Sequence, residues 1–281
     1  MKVIKEISLL REALRDKRKD GSTVGFVPTM GFLHEGHQSL LKRAREENDI
    51  VVLSVFVNPI QFGPNEDFET YPRDIERDEQ AAYEAGVDFI FYPSVEEMYP
   101  HKAGVSLIVN SRTNVLCGAK RPGHFDGVVT VLTKLFNIIQ PDQAYFGLKD
   151  AQQVAVIDSL IRDFNIPVEL VPVNTVREED GLAKSSRNVF LSEEERQQAP
   201  AIFKSLQKAR ALIDSGERNP EKVIAGIKEE LDSSTSGEID YAELLSYPEL
   251  ERVEEIQGKI IIALAVKFSR ARLIDNIIVE I

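Results

Sequence analysis

The sequence predicts an α/β fold: a doubly wound parallel sheet over residues 1–176, followed by a smaller α+β lid domain over residues 177–281. Three observations predict it. Strand-like and helix-like segments alternate through the first part, which is the signature of right-handed βαβ units. Ile50 to Val57 is apolar almost throughout and rich in β-branched residues, as a strand covered on both faces must be. After about residue 176 the alternation stops, and helices are followed by strands.

The elements follow in order. Residues 23–27 read as a strand that stops at Pro28. Residues 36–47 suit a helix with Leu40, Leu41 and Ala44 on one side. Asp74 to Ala85 is a helix ending at Gly86, because glycine takes the left-handed conformation of a C-terminal cap. Asp88 to Tyr92 is a strand closed by Pro93. Residues 127–139 form a helix, 142–146 a strand, 150–163 a helix and 167–173 a strand. Arg177 to Asn188 is a polar loop between the domains. Ser192 and Glu195 have capping-box spacing, so a helix starts at 193 and runs to 214. A second helix spans 219–232, and strands at 238–246, 259–266 and 271–280 complete the small domain. A sheet of the first kind is Rossmann-like, and such sheets bind ligands beyond the carboxyl ends of their strands.

Composition narrows the function. The formal net charge of −12 disfavours nucleic acid and anionic membranes as partners. Small anions remain accessible where Lys, Arg and Gly gather. The first twenty residues carry no apolar signal-peptide core, and the longest apolar runs are too short to span a bilayer. A single cysteine, Cys117, closes no intramolecular disulfide. These features lead us to expect a cytoplasmic protein acting on small molecules.

Chemistry concentrates where strands end. The run Phe26-Val27-Pro28-Thr29-Met30-Gly31-Phe32-Leu33-His34-Glu35-Gly36-His37 passes from strand through turn to helix start. A helix start offers unpaired N–H groups and a positive dipole end to an anion. His34 and His37 add two imidazoles one turn apart, while Gly31 and Gly36 keep side chains out of a ligand's approach. The zinc pattern His-Glu-x-x-His places its histidines four apart, not three, so a metal reading is weak here. Asn58 and Gln61 follow the second strand and suit a carboxylate or hydroxyl. Gly147, Leu148, Lys149 and Asp150 again run from strand to helix. A lysine at a helix start opposes the dipole, and a bound polyanion explains it. Gln152 and Gln153 lie on the next turn, and Gln153 can face the site. Lys184, Ser185, Ser186 and Arg187 put two hydroxyls, an amine and a guanidinium in four residues, a phosphate clamp. Gly118 to Gly127 is basic and glycine-rich, suited to an ordered loop, a pocket wall or an interface.

Taken together, Pro-Thr-Met-Gly-Phe-Leu-His-Glu-Gly-His, Phe-Val-Asn-Pro-Ile-Gln-Phe-Gly, Arg-Pro-Gly-His-Phe, Tyr-Phe-Gly-Leu-Lys-Asp-Ala-Gln-Gln, Ser-Ser-Arg-Asn and the closing Ala271-Arg272-Leu273-Ile274-Asp275-Asn276 resemble the pantoate–β-alanine ligases nearly end to end. The resemblance implies ATP-dependent joining of (R)-pantoate to β-alanine through a pantoyl adenylate, with release of pyrophosphate and AMP. By it, Met30, Gly31, His34, Gly36, His37, Gly147, Leu148, Lys149, Asp150, Val176, Lys184, Ser185, Ser186 and Arg187 match ATP contacts. Gln61 and Gln153 match pantoate contacts, Gln61 also reaching toward β-alanine, with Asn58 beside them. His37 matches the proton donor, and His34, Lys149, Ser185, Ser186 and Arg187 are the further catalytic donors. Mg²⁺ is expected with the phosphates, with Asp78 as a candidate ligand, and the family is usually a homodimer. Lys184 stands where many relatives have methionine and Leu148 where glutamine or methionine is common; backbone contacts to a nucleotide survive both changes. One rival enzyme reading shares the histidine motif, a nucleotidylyltransferase with a phosphorylated acceptor; the non-enzyme rival is a nucleotide-sensing module that binds ATP without turnover.

Overall fold

Parallel pairing joins six strands into one sheet: β1 (Lys2–Ile4), β2 (Val24–Thr29), β3 (Ile50–Val55), β4 (Phe89–Phe91), β5 (Gln143–Gly147) and β6 (Glu169–Val173). The computed structural model describes every residue except Asp20, Asn65 and Asp67. The spatial order β1-β4-β3-β2-β5-β6 reverses direction between β2 and β5. That is the topological switch point at which doubly wound sheets hold ligands. β3 is buried at every position, Ser54 included, as a run apolar almost throughout requires. Its strand pairing ends at Val55 rather than Val57, because the chain turns into the Asn58–Gln61 corner.

The helices of the chain are α1 (Ile7–Arg18), α2 (Glu35–Glu47), α3 (Ile75–Glu84), α4 (Val95–Met98), α5 (Leu116–Lys120), α6 (His124–Ile139), α7 (Ala151–Asp163), α8 (Glu193–Gln198), α9 (Ala201–Asp214) and α10 (Pro220–Ser234). Leu40, Leu41 and Ala44 of α2 join Val27, Leu53, Ile90 and Tyr145 in one buried cluster. α6 starts at His124, three residues ahead of the expected 127, because Gly123 at φ +79° turns the chain into its first turn. β1 and α1 were not anticipated: β1 is a three-residue, largely exposed edge strand with little periodic signal.

The chain divides into two units. The first holds Met1–Asn110, Arg121–Leu148 and Val156–Asn174; the second holds Ser111–Lys120, Lys149–Ala155 and Thr175–Ile281. A single cut between 176 and 177 does not describe this division, because two short segments of earlier sequence fold with the later part. Side-chain bonds explain the second unit's claim on them. Gln152, buried on α7, donates to the carbonyls of Arg112 and Val115 and accepts from the N–H of Gly118. Glu243 accepts from the N–H of Leu116.

Within the second unit, β7 (Glu238–Ser246), β8 (Lys259–Lys267) and β9 (Arg272–Glu280) form an antiparallel sheet with β8 central. Ile202, Leu206, Val223, Ile227 and Leu231 of α9 and α10 share a core with Ile260, Ile262 and Leu264 of β8. The capping box at Ser192 and Glu195 is present. The expected helix 193–214 is broken, however: α8 ends at Gln198 and α9 begins after Pro200, whose ring and missing N–H interrupt a continuous ladder.

Candidate active site

β2 and β5 flank the switch point, and their carboxyl ends carry Thr29 and Gly147. After β2 the backbone takes two successive left-handed residues, Gly31 at φ +86° and Phe32 at φ +53°. A side chain at Gly31 would meet Asp78 Oδ2 at 2.8 Å and Val55 Cγ1 at 2.9 Å, so glycine is required for space as well as for φ. Thr29 Oγ1 donates to the Ser54 carbonyl and accepts from the Gly31 N–H, tying the turn to β3.

His34 then caps α2. Its Nδ1 accepts from the Gly36 N–H at 3.1 Å, and His37 Nδ1 accepts from the His34 N–H at 3.3 Å. This is a capping box built from two histidines. A ring nitrogen that accepts carries no proton, so each neutral imidazole holds its proton on Nε2. The two rings lie 4.1 Å apart between centroids. The helix start therefore presents two Nε2–H donors in place of the N–H groups they cap.

Gln61 is held in a buried corner. Asn58 Nδ2 donates to Gln61 Oε1 at 3.0 Å and to the Gly127 carbonyl at 3.1 Å, and its Oδ1 accepts from Tyr99 at 2.8 Å. Gln61 Nε2 in turn reaches Met30 Sδ at 3.5 Å. Burial pushes the Tyr99 hydroxyl well above its ordinary range, so it stays a donor. α6 approaches this corner so closely that a Cβ on Gly127 would fall 2.6 Å from Gln61 Cα. Likewise, a Cβ on Gly118 would strike the Thr113 carbonyl at 2.3 Å. Close packing accounts for both glycines that bound the 118–127 segment.

The same segment supplies a second polar chain. Arg121 binds both oxygens of Glu66 at 2.6 Å and donates to His124 Nε2 at 3.0 Å. His124 Nδ1–H then donates to the Gln61 carbonyl at 2.9 Å, the opposite tautomer to His34 and His37. Burial raises the Glu66 carboxyl, but hydrogen bonds and charge from Arg121 outweigh it and hold the group low.

The other expected residues, apart from Leu148, lie in the second unit. Lys149 sits in a 3₁₀ turn, Leu148–Asp150, ahead of α7, with Nζ 3.8 Å from Asp150. Asn276 of β9 donates to the Lys149 carbonyl at 2.9 Å. Gln153 is half-buried, whereas its neighbour Gln152 is committed to the bonds given above. Val176 and Lys184 pair through the backbone, the Lys184 N–H donating to the Val176 carbonyl at 2.9 Å. Arg177 braces this pairing: it binds both oxygens of Asp275 at 2.6 and 2.9 Å and lies 3.6 Å over the Phe203 ring. Ser185 caps the 3₁₀ turn Ser186–Phe190, accepting from the Arg187 N–H at 3.3 Å. Ser186 is buried and Arg187 half-buried.

Asp78 does not serve as an open metal ligand. It is 1% exposed, and its two oxygens accept the N–H groups of Phe32 and Leu33 at 2.8 and 2.6 Å. Burial raises its carboxyl despite those donors. Sequence reasoning missed this role, and those of Tyr99, Arg177 and Asp275. Asp275 and Asn276 belong to the closing motif, the one signal that marked them.

A six-stranded parallel sheet whose switch point is flanked by a histidine-capped helix defines a Rossmann-like α/β protein, of the class that holds ligands beyond the carboxyl ends of its strands. The comparisons with known proteins are specific. The family model described as Pantoate-beta-alanine ligase matches residues 2–278. The chain belongs to this family of ATP-binding ligases of pantothenate biosynthesis. It is 63% identical to the pantothenate synthetase of Geobacillus sp. (strain WCH70), over all of both chains. It is 61% identical to that of Bacillus subtilis (strain 168), over 100% of this chain and 98% of the relative. A crystal structure of pantothenate synthetase from Thermus thermophilus matches with a TM-score of 0.93 and 45% identity, covering 99% of each chain. The Francisella tularensis ligase, solved in complex with beta-gamma ATP and β-alanine, matches with a TM-score of 0.81 and 34% identity, over 99% of this chain and 97% of that one.

Proposed function

We propose that the chain makes pantothenate in two steps through a pantoyl adenylate. A carboxylate oxygen of pantoate attacks the α-phosphorus of ATP, and the bond to pyrophosphate breaks. The β-alanine amine then attacks the acyl carbon, AMP leaves, and the amine gives up a proton. The capped histidine pair carries this reading. A reaction that gathers negative charge on a departing pyrophosphate is served by preorganised donors. The Nε2–H groups of His34 and His37 are such donors, His37 giving a hydrogen bond to the departing phosphate rather than its proton, because a neutral imidazole is too weak an acid to part with its Nε2–H. Lys149, Ser185, Ser186 and Arg187 are proposed to share the phosphate charge.

Met30, Gly31, Gly36, Gly147, Leu148, Asp150, Val176 and Lys184 are proposed to complete the ATP contacts, largely through backbone. Gln61 and Gln153 are proposed to bind pantoate, with Asn58 orienting Gln61 because its own amide is spent on Gln61, Gly127 and Tyr99. Magnesium would supply charge neutralisation on the phosphates. Among the described residues no group of three or more His, Cys, Asp or Glu side chains is placed to hold a metal ion. Self-association as a homodimer is supported by Val105 and Ile108, 83% and 70% exposed in one apolar stretch. A cytoplasmic setting is part of the same proposal; among the described residues no helix is long and apolar enough to cross a membrane.

The deciding experiment is product release with substrates added in turn. ATP and pantoate alone should give one equivalent of pyrophosphate per site, and AMP should appear only when β-alanine follows. Pyrophosphate that requires β-alanine would overturn the adenylate-first order.

A further inference from the structure

The Gly31–Leu33 turn is gripped from outside by a helix 46 residues further along the chain. From α3, Asp78 accepts the two successive N–H groups of Phe32 and Leu33. Its neighbour Arg77 donates to the Leu33 carbonyl at 3.3 Å and lies 4.4 Å over the Phe32 ring. Successive N–H groups that converge on one point form an anion-binding concavity. Here that concavity is filled by the protein's own carboxylate, so it is closed to a phosphate. The conformation it stabilises is unfavourable by itself, since Phe32 is an L-residue with φ +53°. One residue after this clamp comes His34, whose N–H aims at His37 Nδ1 and whose own Nδ1 takes the Gly36 N–H. The direction of the Leu33–His34 peptide thus sets both rings.

We propose that Asp78 is a positioning residue for adenylation: it holds the left-handed turn so that His34 and His37 keep their capped, Nε2–H geometry. The proposal rests on the reading of these histidines as the phosphate donors. Asp78 touches no substrate in this role. Loosening of the turn by a fraction of an ångström would misdirect both imidazoles.

The test uses the full chain and single-turnover pyrophosphate release. Asp78→Asn keeps the volume but turns an NH₂ toward one of the two N–H groups. It should slow release by up to about 10²-fold, the scale of a small misplacement of catalytic groups, with little change in the KM for ATP. In a ¹⁵N-histidine spectrum of this variant, the ring signals of His34 and His37 should change, while those of His101 and His124 should not. Ala82→Gly in the same helix supplies the control for lost stability and should leave rate and ring signals intact. Phe32→Gly removes the cost of the left-handed φ, so in the Asp78→Asn background it should recover part of the lost rate relative to Phe32→Gly alone. If the Asn variant fails to fold, Asp78→Glu, which keeps the charge and shifts the oxygens, should show the same loss and the same relief. The proposal is overturned by a wild-type rate and unchanged ring signals in the Asp78 variant. It is equally overturned if Ala82→Gly reproduces the loss at equal stability, or if Phe32→Gly brings no relief. Full-rate adenylation in both His34→Ala and His37→Ala would instead remove the histidine reading itself.

Discussion

Asn58 and Gln61 face each other across one tight turn, the Asn58 amide donating to the Gln61 carboxamide oxygen at 3.0 Å. Asn58 is 1% exposed and spends its remaining polar atoms on Gly127 and Tyr99. Gln61 is thereby oriented before any ligand arrives. Asn58→Ala should lower stability by about 1–3 kcal/mol, the cost of leaving buried partners unsatisfied. It should also raise the KM for pantoate more than the KM for ATP. Urea unfolding and steady-state kinetics read the two effects separately.

His37 carries the largest kinetic prediction. His37→Ala should slow adenylation by about 10²–10³-fold, the usual scale for removing one transition-state donor. ATP binding should change far less, because the lost interaction strengthens only as pyrophosphate leaves. A rapid-quench measurement at saturating ATP and pantoate checks this, and an undiminished first turnover would take His37 out of the chemistry.

Arg177 and Asp275 tie the 176–184 hairpin to β9 by a two-point ion pair, with side chains 17% and 2% exposed. Asp275→Ala leaves a mostly buried guanidinium without its counter-charge. A loss of about 3–5 kcal/mol is expected for breaking such a pair from one side. Since the hairpin carries Val176 and Lys184, ATP affinity should fall as well. Chemical denaturation and nucleotide titration test both parts.

Glu195 gives the second unit a defined acid sensitivity. Backbone N–H groups of Ser192 and Ser269 hold its carboxyl down to about 2, against about 4.3 for an unfolded glutamate. A carboxyl depressed by folding contributes stability above its unfolded value, and that contribution is lost as pH falls toward the folded one. Stability should therefore drop between about pH 4.3 and pH 2. Glu195→Gln should be less stable at neutral pH and show a shallower decline across that window in pH-dependent unfolding.

Val105 and Ile108 predict the assembly. Replacing both by aspartate should shift the proposed dimer to monomer in light scattering, while the unfolding midpoint of the separated chains stays near that of a folded monomer. Unchanged mass would place the interface elsewhere.

Local chemistry made much of this protein readable from its residues in order. The nearly continuous apolar run of β3, the stripe of Leu40, Leu41 and Ala44, the capping box at Ser192 and the Pro28–His37 turn all act through near neighbours in the chain. Strand and helix periodicity is a property of such neighbours, so it survives without coordinates. The histidine motif announced a helix start for the same reason, and long motifs in the right order announced the family.

Tertiary structure alone decided what lies between distant residues. Only folding brought Asp78 under the Gly31–Leu33 turn, Tyr99 and Gly127 against Asn58, Gln152 against Arg112 and Val115, and Asn276 against Lys149. A side chain's type states what it can donate or accept, but not which partner reaches it first. Asp78 resembles a metal ligand in the sequence and is an internal acceptor in the fold, because burial left it two backbone N–H groups. The tautomers of His34, His37 and His124 were settled in the same way, by the hydrogen bonds that three-dimensional packing made available.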